Sequence, residues 1–396
     1  MAPIFEGLRV LDLSQNVAGA VAGMILSDHG AEVIKVEPPG GDPGRDLAGW
    51  LVWRRGARSL VLDLEQSTGR EVLLRLLAGA DVLVESFRPG LMAAWGLDYA
   101  ARQAQFPRLV YCAITGYGQG GRDRDRPGRG ELVEARLGLQ YEQVGYRDGP
   151  IYLGWPLAEY GGAFLTAIGL VTALYVRTVT GRGQLVDASL MNGAAFLAGM
   201  RWLWDEQGKL GETRRRDPDP RGAMGSRRVV IGLFQCQDGE WVQMHTAPRG
   251  GFNRLMRAVG LDELVDPARD SESQPSTMPD DVAEQMWRDL ERIFRSKPRD
   301  EWVAILKSID LPVLPAKAPG ECFDNEQMLA NDLIVEVEDP TYSLLRQIGI
   351  AQKFARTPGR VAGPAPQLGQ HTDAILTAVG YGPAEIAALR QQGVVA

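Results

Sequence analysis

One carboxylate stands at the start of a long uncharged segment. Glu159 follows an apolar loop, and no charged side chain occurs between it and Arg177. The free N–H groups and the dipole of a helix N-terminus favour an anion there. A partly desolvated carboxylate beside backbone donors, for which Gly161 and Gly162 are the candidates, could act as a covalent catalyst that stabilises an oxyanion. Glu is also common in first helical turns, so a purely structural role stays open.

The elements around Glu159 predict how it is positioned. The apolar segment forms a helix that ends near Arg177, and residues 180–184 then turn the chain into a strand at 185–190. Upstream, apolar strand candidates alternate with helical stretches, at 8–13, 32–36, 59–64, 81–86 and 109–115. Such repeats predict an α/β fold with a doubly wound, mostly parallel, Rossmann-like sheet that binds ligands at the carboxyl ends of its strands.

Changes in composition divide the chain. The segment 205–228 is dense in Arg, Asp, Gly and Pro, which is typical of a linker. After it, strands near 229–235 and 241–244 followed by helices predict a smaller α+β domain. Beyond about residue 331 we predict a strand at 334–338 and a closing helix through 373–379. We therefore predict a large α/β domain whose N-terminal part spans 1–204, a linker in 205–228, a small α+β domain in 229–330 and a segment in 331–396 that returns to the large domain.

Composition excludes several classes of protein. The net charge of −7 argues against a general nucleic-acid binder. Three cysteines and three histidines, all far apart in sequence, predict no disulfide framework and no metal site, and they fit a cytoplasmic protein. The start of the chain lacks the pattern of a signal peptide. The uncharged stretch 161–176 is too short to span a bilayer, so we expect no membrane partner. We also expect the carboxyl of Glu159 to have an ordinary pKa, near 4, and to be ionised at neutral pH.

The first strand and helix imitate a dinucleotide-binding unit. Strand 8–13 leads into a helix with Gly19 and Gly23, and Glu37 ends the next strand. The GxGxxG fingerprint is missing, however, so a nicotinamide enzyme is disfavoured.

Motifs along nearly the whole chain resemble those of family III CoA-transferases. This group includes formyl-CoA:oxalate and carnitine CoA-transferases and the α-methylacyl-CoA racemases. Residues 205–330 match in layout more than in letters. The resemblance rests on the order of these segments: GLRVLDL at 7–13, GAEVIKVEP at 30–38, RSLVLDL at 58–64, ADVLVESFRPG at 80–90, PRLVY at 107–111, TGRGQ at 180–184 and QLGQHTD at 367–373.

The resemblance implies a substrate, partners and a binding site. The substrates are an acyl-CoA and a small carboxylic acid, coenzyme A is the group that moves, and no metal is involved. Two ring-shaped chains interlock as a homodimer. The nucleotide end of CoA is expected on the N-terminal sheet, at Val17, Ala18, Leu62, Asp63, Leu64, Glu65, Ser86, Phe87, Arg88, Arg129 and Gly130.

The family's catalytic aspartate corresponds by position to Glu159. In the family this carboxylate attacks the thioester, forms an anhydride and then an enzyme–CoA thioester, from which a second acid takes CoA. Glutamate carries its carboxylate one C–C bond farther out, and the family's usual Tyr-Asp or His-Asp is replaced by Arg129 and Gly130. A racemase needs that histidine, so racemisation is disfavoured. An isomerase or lyase acting on a CoA thioester, and a CoA-binding protein without catalysis, stay open.

Overall fold

The computed structural model describes residues 2–142, 149–199, 227–270 and 276–396. Contacts within the chain group it into two compact units. Most of the predicted linker 205–228 lies outside the described residues, so the predicted domain boundaries stay predictions. One unit comprises residues 1–140, 152–203 and 326–396, and the other comprises 141–151 and 204–325.

A six-stranded parallel sheet forms the centre of the first unit. Its order is β3-β2-β1-β4-β5-β6, in which β1 pairs with both β2 and β4. All six strand predictions are confirmed within a few residues. The strands are β1 (Arg9–Asp12), β2 (Glu32–Glu37), β3 (Arg58–Val61), β4 (Val82–Glu85), β5 (Val110–Thr115) and β6 (Leu185–Ser189). This order places the topological switch point, where α/β sheets bind ligands, between β1 and β4.

Helices cover both faces of this sheet. Alternate strand residues enter two different cores, as the two-residue period of a strand requires. Val10, Val82 and Val84 pack with α1, α8 and α9, whereas Leu11 and Leu83 pack with α3, α14 and α15. The helices of this unit are α1 (Val17–Asp28), α2 (Trp50–Trp53), α3 (Ser67–Leu77), α4 (Leu91–Ala94), α5 (Tyr99–Arg102), α6 (Gly130–Leu137), α7 (Leu139–Glu142), α8 (Leu157–Thr180), α9 (Leu190–Gly199), α13 (Glu326–Ala330), α14 (Thr372–Ala378) and α15 (Pro383–Gln391).

The long helix α8 packs tightly against α9. A Cβ on Gly161 would lie 2.6 Å from the carbonyl oxygen of Gly193, and one on Gly193 would lie 2.1 Å from the nitrogen of Gly162. Only glycine permits so close an approach of two helices. The helix ends at Thr180 instead of near Arg177, and the next residue is a glycine in the left-handed region.

The exposed side of α8 is apolar. The helix has 24 residues, so its length was underestimated from the sequence. By length and composition it could cross a membrane, but residues on its inner side, such as Ala163 and Leu170, are buried in the core of this unit. Core helices of globular proteins also reach this length and apolar composition. Every third or fourth side chain along it is exposed, which gives one apolar stripe of Phe164, Ile168, Val171, Tyr175 and Val179.

The second unit has its own core. Three antiparallel strands in the order β7-β8-β9 are joined by three helices, and Phe234 stacks on Phe294 with ring centres 4.4 Å apart. The predicted strands at 229–235 and 241–244 are confirmed, whereas β9 was not predicted. These elements are β7 (Ile231–Gln235), β8 (Trp241–His245), α10 (Gly251–Val259), α11 (Asp280–Phe294), α12 (Arg299–Ser308) and β9 (Val313–Ala316).

The C-terminal part differs from the prediction in two respects. The strand predicted at 334–338 is one arm of an antiparallel hairpin formed by β10 (Ile334–Asp339) and β11 (Ser343–Ile348). The helix predicted through 373–379 is not the last element, because α15 follows it and packs into the core beside α3.

Candidate active site

Glu159 lies in the first turn of α8, where that helix meets the beginnings of α1 and α6. The backbone N–H groups of Ala18 and Gly130, each in the first turn of its helix, are close enough to the carboxyl to lower its pKa. The Asn16 side chain caps α1 by accepting from the nitrogen of Gly19 at 2.9 Å, which leaves the Ala18 N–H group for another acceptor. The free amides of two other helices thus face this carboxyl.

Burial dominates the electrostatics of Glu159. Burial and, to a smaller extent, the neighbouring Glu131 and Glu134 raise the pKa of the carboxyl, the N–H groups of Gly130 and Ala18 partly offset the rise, and the resulting pKa is about 7. Within the described part of the chain no cation pairs with the carboxyl, and its buried Oε2 has no hydrogen-bond partner. The expectation of an ordinary pKa is therefore wrong. Near pH 7 about half of the molecules carry the proton here.

Glu134 is a buried acidic neighbour of Glu159 that the sequence analysis missed. Its side chain is almost fully buried, and its Oε1 accepts from the nitrogen of Ala158 at 3.2 Å. Burial raises the pKa of Glu134, and the Ala158 and Leu157 N–H groups work against that rise. The amides at the start of α8 are thus engaged by a carboxyl from α6. The predicted stabilisation of Glu159 by its own helix N-terminus is corrected accordingly.

No signal in the sequence pointed to Glu134. Glu131 and Glu134 are three residues apart, so they lie on the same face of α6, but this spacing is also typical of a solvated helix face. Only the packing of α6 against α8 converts it into a contact with the first turn of α8.

The predicted CoA residues fall at the carboxyl edge of the sheet. Residues 17–18 begin α1 directly after β1, residues 86–88 follow β4, and the Gln15 N–H donates to Ser86 Oγ at 2.8 Å across the switch point. Residues 62–65 follow β3, which is two strands, or about 10 Å, from β1. Residues 129–130 start α6 beside Glu159.

These residues present different groups. The side chains of Leu62 and Leu64 are buried in the core, so only their backbone is available to a ligand. Asp63 accepts from the nitrogen of Glu65 and from Gln66 Nε2, both at 2.9 Å, and so organises the turn after β3.

Two arginines near this edge are exposed. Arg88 and Arg129 form no ion pair within the described ranges, so they can meet an anionic ligand. Six other arginines of this unit are already paired with carboxylates. Arg54, Arg55 and Arg58 pair with carboxylates, and the group at 122, 124 and 126 forms the local pairs that its interleaved aspartates predict.

Among the residues that the structure describes, no group of three or more His, Cys, Asp or Glu side chains could hold a metal ion.

A model of CoA-transferase family III matches residues 5–372. The chain belongs to this family. Among its relatives, the succinyl-CoA–L-malate CoA-transferase alpha subunit of Chloroflexus aurantiacus is 31% identical, over 94% of this chain and 87% of that protein. The cinnamoyl-CoA:phenyllactate CoA-transferase of Clostridium sporogenes is 28% identical, over 98% of this chain and 96% of that protein.

A solved structure has the same fold. The CAIB/BAIF family protein from Brucella suis superposes with a TM-score of 0.80 at 26% identity, over 96% of this chain and all of that one. The mixed α/β architecture, with a six-stranded parallel sheet and a small antiparallel sheet, thus matches that of this CAIB/BAIF family protein. CoA transfer is the activity common to the two relatives named above, and the resemblance noted in the sequence motifs is confirmed.

Proposed function

We propose that this protein moves CoA from an acyl-CoA thioester to a carboxylic acid, with Glu159 as the nucleophile. The observation that carries the proposal is the environment of its carboxyl. It is largely buried, lacks a cationic partner among the described residues, and faces the N–H groups of Ala18 and Gly130. A buried carboxylate without a cation keeps its lone pairs available for a substrate carbonyl.

The reaction proceeds by two exchanges, the first at the acyl carbon of the donor and the second at the glutamyl carbon of Glu159. The Glu159 carboxylate attacks the thioester carbonyl, the C–S bond breaks, and an acyl–glutamyl anhydride and CoA thiolate form. The thiolate then attacks the glutamyl carbonyl of the anhydride, which releases the donor acid as its carboxylate and leaves a glutamyl–CoA thioester. The acceptor carboxylate repeats both exchanges in reverse order, which returns Glu159 as a carboxylate.

The backbone donors for these steps come from two helix starts. The tetrahedral intermediates on the glutamyl carbon place an oxyanion beside the N–H groups of Ala18 and Gly130, which need no reorientation. We assign this role to them instead of Gly161 and Gly162. The N–H groups of those two glycines lie beyond the first turn of α8, where they bond within the helix.

CoA would lie along the carboxyl edge of the sheet. The switch point between β1 and β4 is the expected place for a nucleotide. Arg88 and Arg129 are the exposed cations that we assign to its phosphates. We further propose a homodimer, interlocked as in the family, in which the apolar stripe of α8 is covered, and a cytoplasmic location. Five large side chains exposed along one helix are typical of an interface.

One observation favours a second function. A carboxyl with a pKa of about 7 suits a general acid or base at neutral pH. An isomerase or lyase acting on a CoA thioester would use Glu159 in that way. It would convert a single acyl-CoA without a second acid, whereas a transferase needs both.

Mass spectrometry after incubation with a panel of acyl-CoAs tests the transferase. We expect the mass of CoA on the peptide that contains Glu159, removal of that mass by an acceptor acid, and no adduct on Glu159→Gln. Turnover of an acyl-CoA with no adduct and no acceptor would instead support the second function.

A further inference from the structure

Gly130 has no backbone reason to be glycine. It is the first residue of α6, it is buried, and its φ lies outside the left-handed region. Alanine is the better helix former at such a position. The absence of a side chain here therefore calls for an explanation in the surroundings.

The space beside Gly130 is taken by Glu159. A Cβ on residue 130 would lie 3.3 Å from Glu159 Oε1, 3.4 Å from Glu159 Cγ and 3.6 Å from Ala158 Cβ. The first two distances are tighter than most real Cβ contacts, so the glutamate would have to move by a few tenths of an ångström. An aspartate has one methylene fewer, so its carboxyl would withdraw from this space.

We propose that Gly130 is a positioning residue that makes room for the longer side chain of Glu159 and holds its carboxyl where the reaction takes place. This inference rests on the proposed function. The two departures from the family pattern, glycine at 130 and glutamate at 159, are then one coupled change. Gly130 contributes its N–H group and an open space, and Glu159 reaches into that space.

A double-mutant cycle tests the coupling. The rate of glutamyl–CoA formation is measured in single turnovers for Gly130→Ala, Glu159→Asp and the double variant. A displacement of about half an ångström corresponds to roughly a tenfold loss, so Gly130→Ala should slow the wild-type glutamate about tenfold. In the Glu159→Asp background the same change should alter the rate less than about twofold, because the space is empty.

Gly154→Ala is the matched control. A Cβ at Gly154 would meet nothing within 4 Å, and its φ is not left-handed, so its rate should equal that of the wild type. The unfolding free energy of Gly130→Ala should stay near the wild-type value, while its rate falls. Equal loss from Gly130→Ala in both backgrounds would overturn the inference.

Crystal structures give a readout that needs no activity. The Glu159 carboxyl should be displaced in Gly130→Ala and unmoved in Gly154→Ala. An unmoved carboxyl in Gly130→Ala would overturn the proposed role of Gly130. If the wild type forms no adduct with any acyl-CoA, the transferase proposal fails, while the displacement still decides whether Gly130 and Glu159 are matched.

Discussion

Asp12 and Glu159 are both buried acids near the carboxyl edge of the same sheet, yet their surroundings shift their pKa values in opposite directions. Burial alone would raise the pKa of Asp12, but Arg54 and Lys35 hold it below its ordinary value. Asp12 also accepts from Ser14 Oγ at 2.6 Å. Glu159 has acidic neighbours and, among the residues that the structure describes, no such cation, and its pKa is about 7.

The region around Asp12 is a closed network of charges. Lys35 Nζ contacts Asp42 at 2.7 Å, and Arg45 contacts Glu37 at 2.6 Å, beneath the ends of β1 and β2. Removing one partner of such a pair leaves a buried charge and is costly. The Glu159 carboxyl in the first turn of α8 has instead no ion-pair partner among the described residues. The difference fits our proposal: the network around Asp12 stabilises the fold, whereas the Glu159 carboxyl, unpaired among the described residues, is available to a substrate at a cost in stability.

The largest effect is expected from Glu159→Gln. Without a nucleophile, CoA transfer should fall by on the order of 10⁴-fold, measured as exchange between an acyl-CoA and an acceptor acid. The amide carries no charge to desolvate, so the free energy of unfolding at pH 8 should stay the same or rise. A variant that retained transfer would remove Glu159 from the chemistry.

Arg54→Met should damage the closed network. It leaves the fully buried Asp12 without its ion-pair partner, which should cost about 3–5 kcal/mol in urea unfolding. Arg58→Met is the control, because the pair of Arg58 with Glu32 is about one-third exposed and should contribute about 1 kcal/mol or less. Equal losses would show that burial does not distinguish the two pairs.

Gly161→Ala tests what holds α8 beside its neighbours. The added Cβ would lie 2.6 Å from the Gly193 carbonyl oxygen, so the two helices must separate. We expect a loss of about 1–3 kcal/mol in the free energy of unfolding. Gly154→Ala should be neutral. A Gly161→Ala variant as stable as the wild type would show that the close approach of α8 to α9 is not needed for stability.

The smallest effect concerns pH. Adduct formation should rise with pH around a midpoint near 7, because only the anion attacks. Glu131→Gln removes an acidic neighbour and should lower this midpoint by a few tenths of a unit. The raised pKa of Glu159 favours folding when the group is protonated. Its contribution is full below about pH 4.5 and is lost as pH rises through 7, and this dependence should vanish in Glu159→Gln.

Much of the fold was predictable because its strands are buried on both faces. Continuous apolar runs such as Val82–Glu85 and Val110–Thr115 have few other interpretations. The elements that were missed are short or amphipathic. Among them, β9 contains a proline, and α15 is a short helix that begins at the Gly382-Pro383 turn. Their structure is decided by packing against distant segments.

The site was predicted only in part. The position of Glu159 at a helix start followed from the apolar run after it and is confirmed, whereas its match to the family's catalytic aspartate stays a prediction from the motifs. Its pKa and its contact with Glu134 could not be predicted, because both depend on how α6 packs against α8. The reason for a glycine at residue 130 likewise becomes visible only in the structure, where the Glu159 carboxyl lies beside it.

Because the pKa of Glu159 is about 7, the first half-reaction should release protons near neutral pH. A glutamyl–CoA thioester holds no acidic proton, so converting a half-protonated site at pH 7 releases about half a proton per active site into the solvent. At pH 9 the release should disappear. An indicator dye in weak buffer would therefore report acylation of the enzyme without any label on CoA.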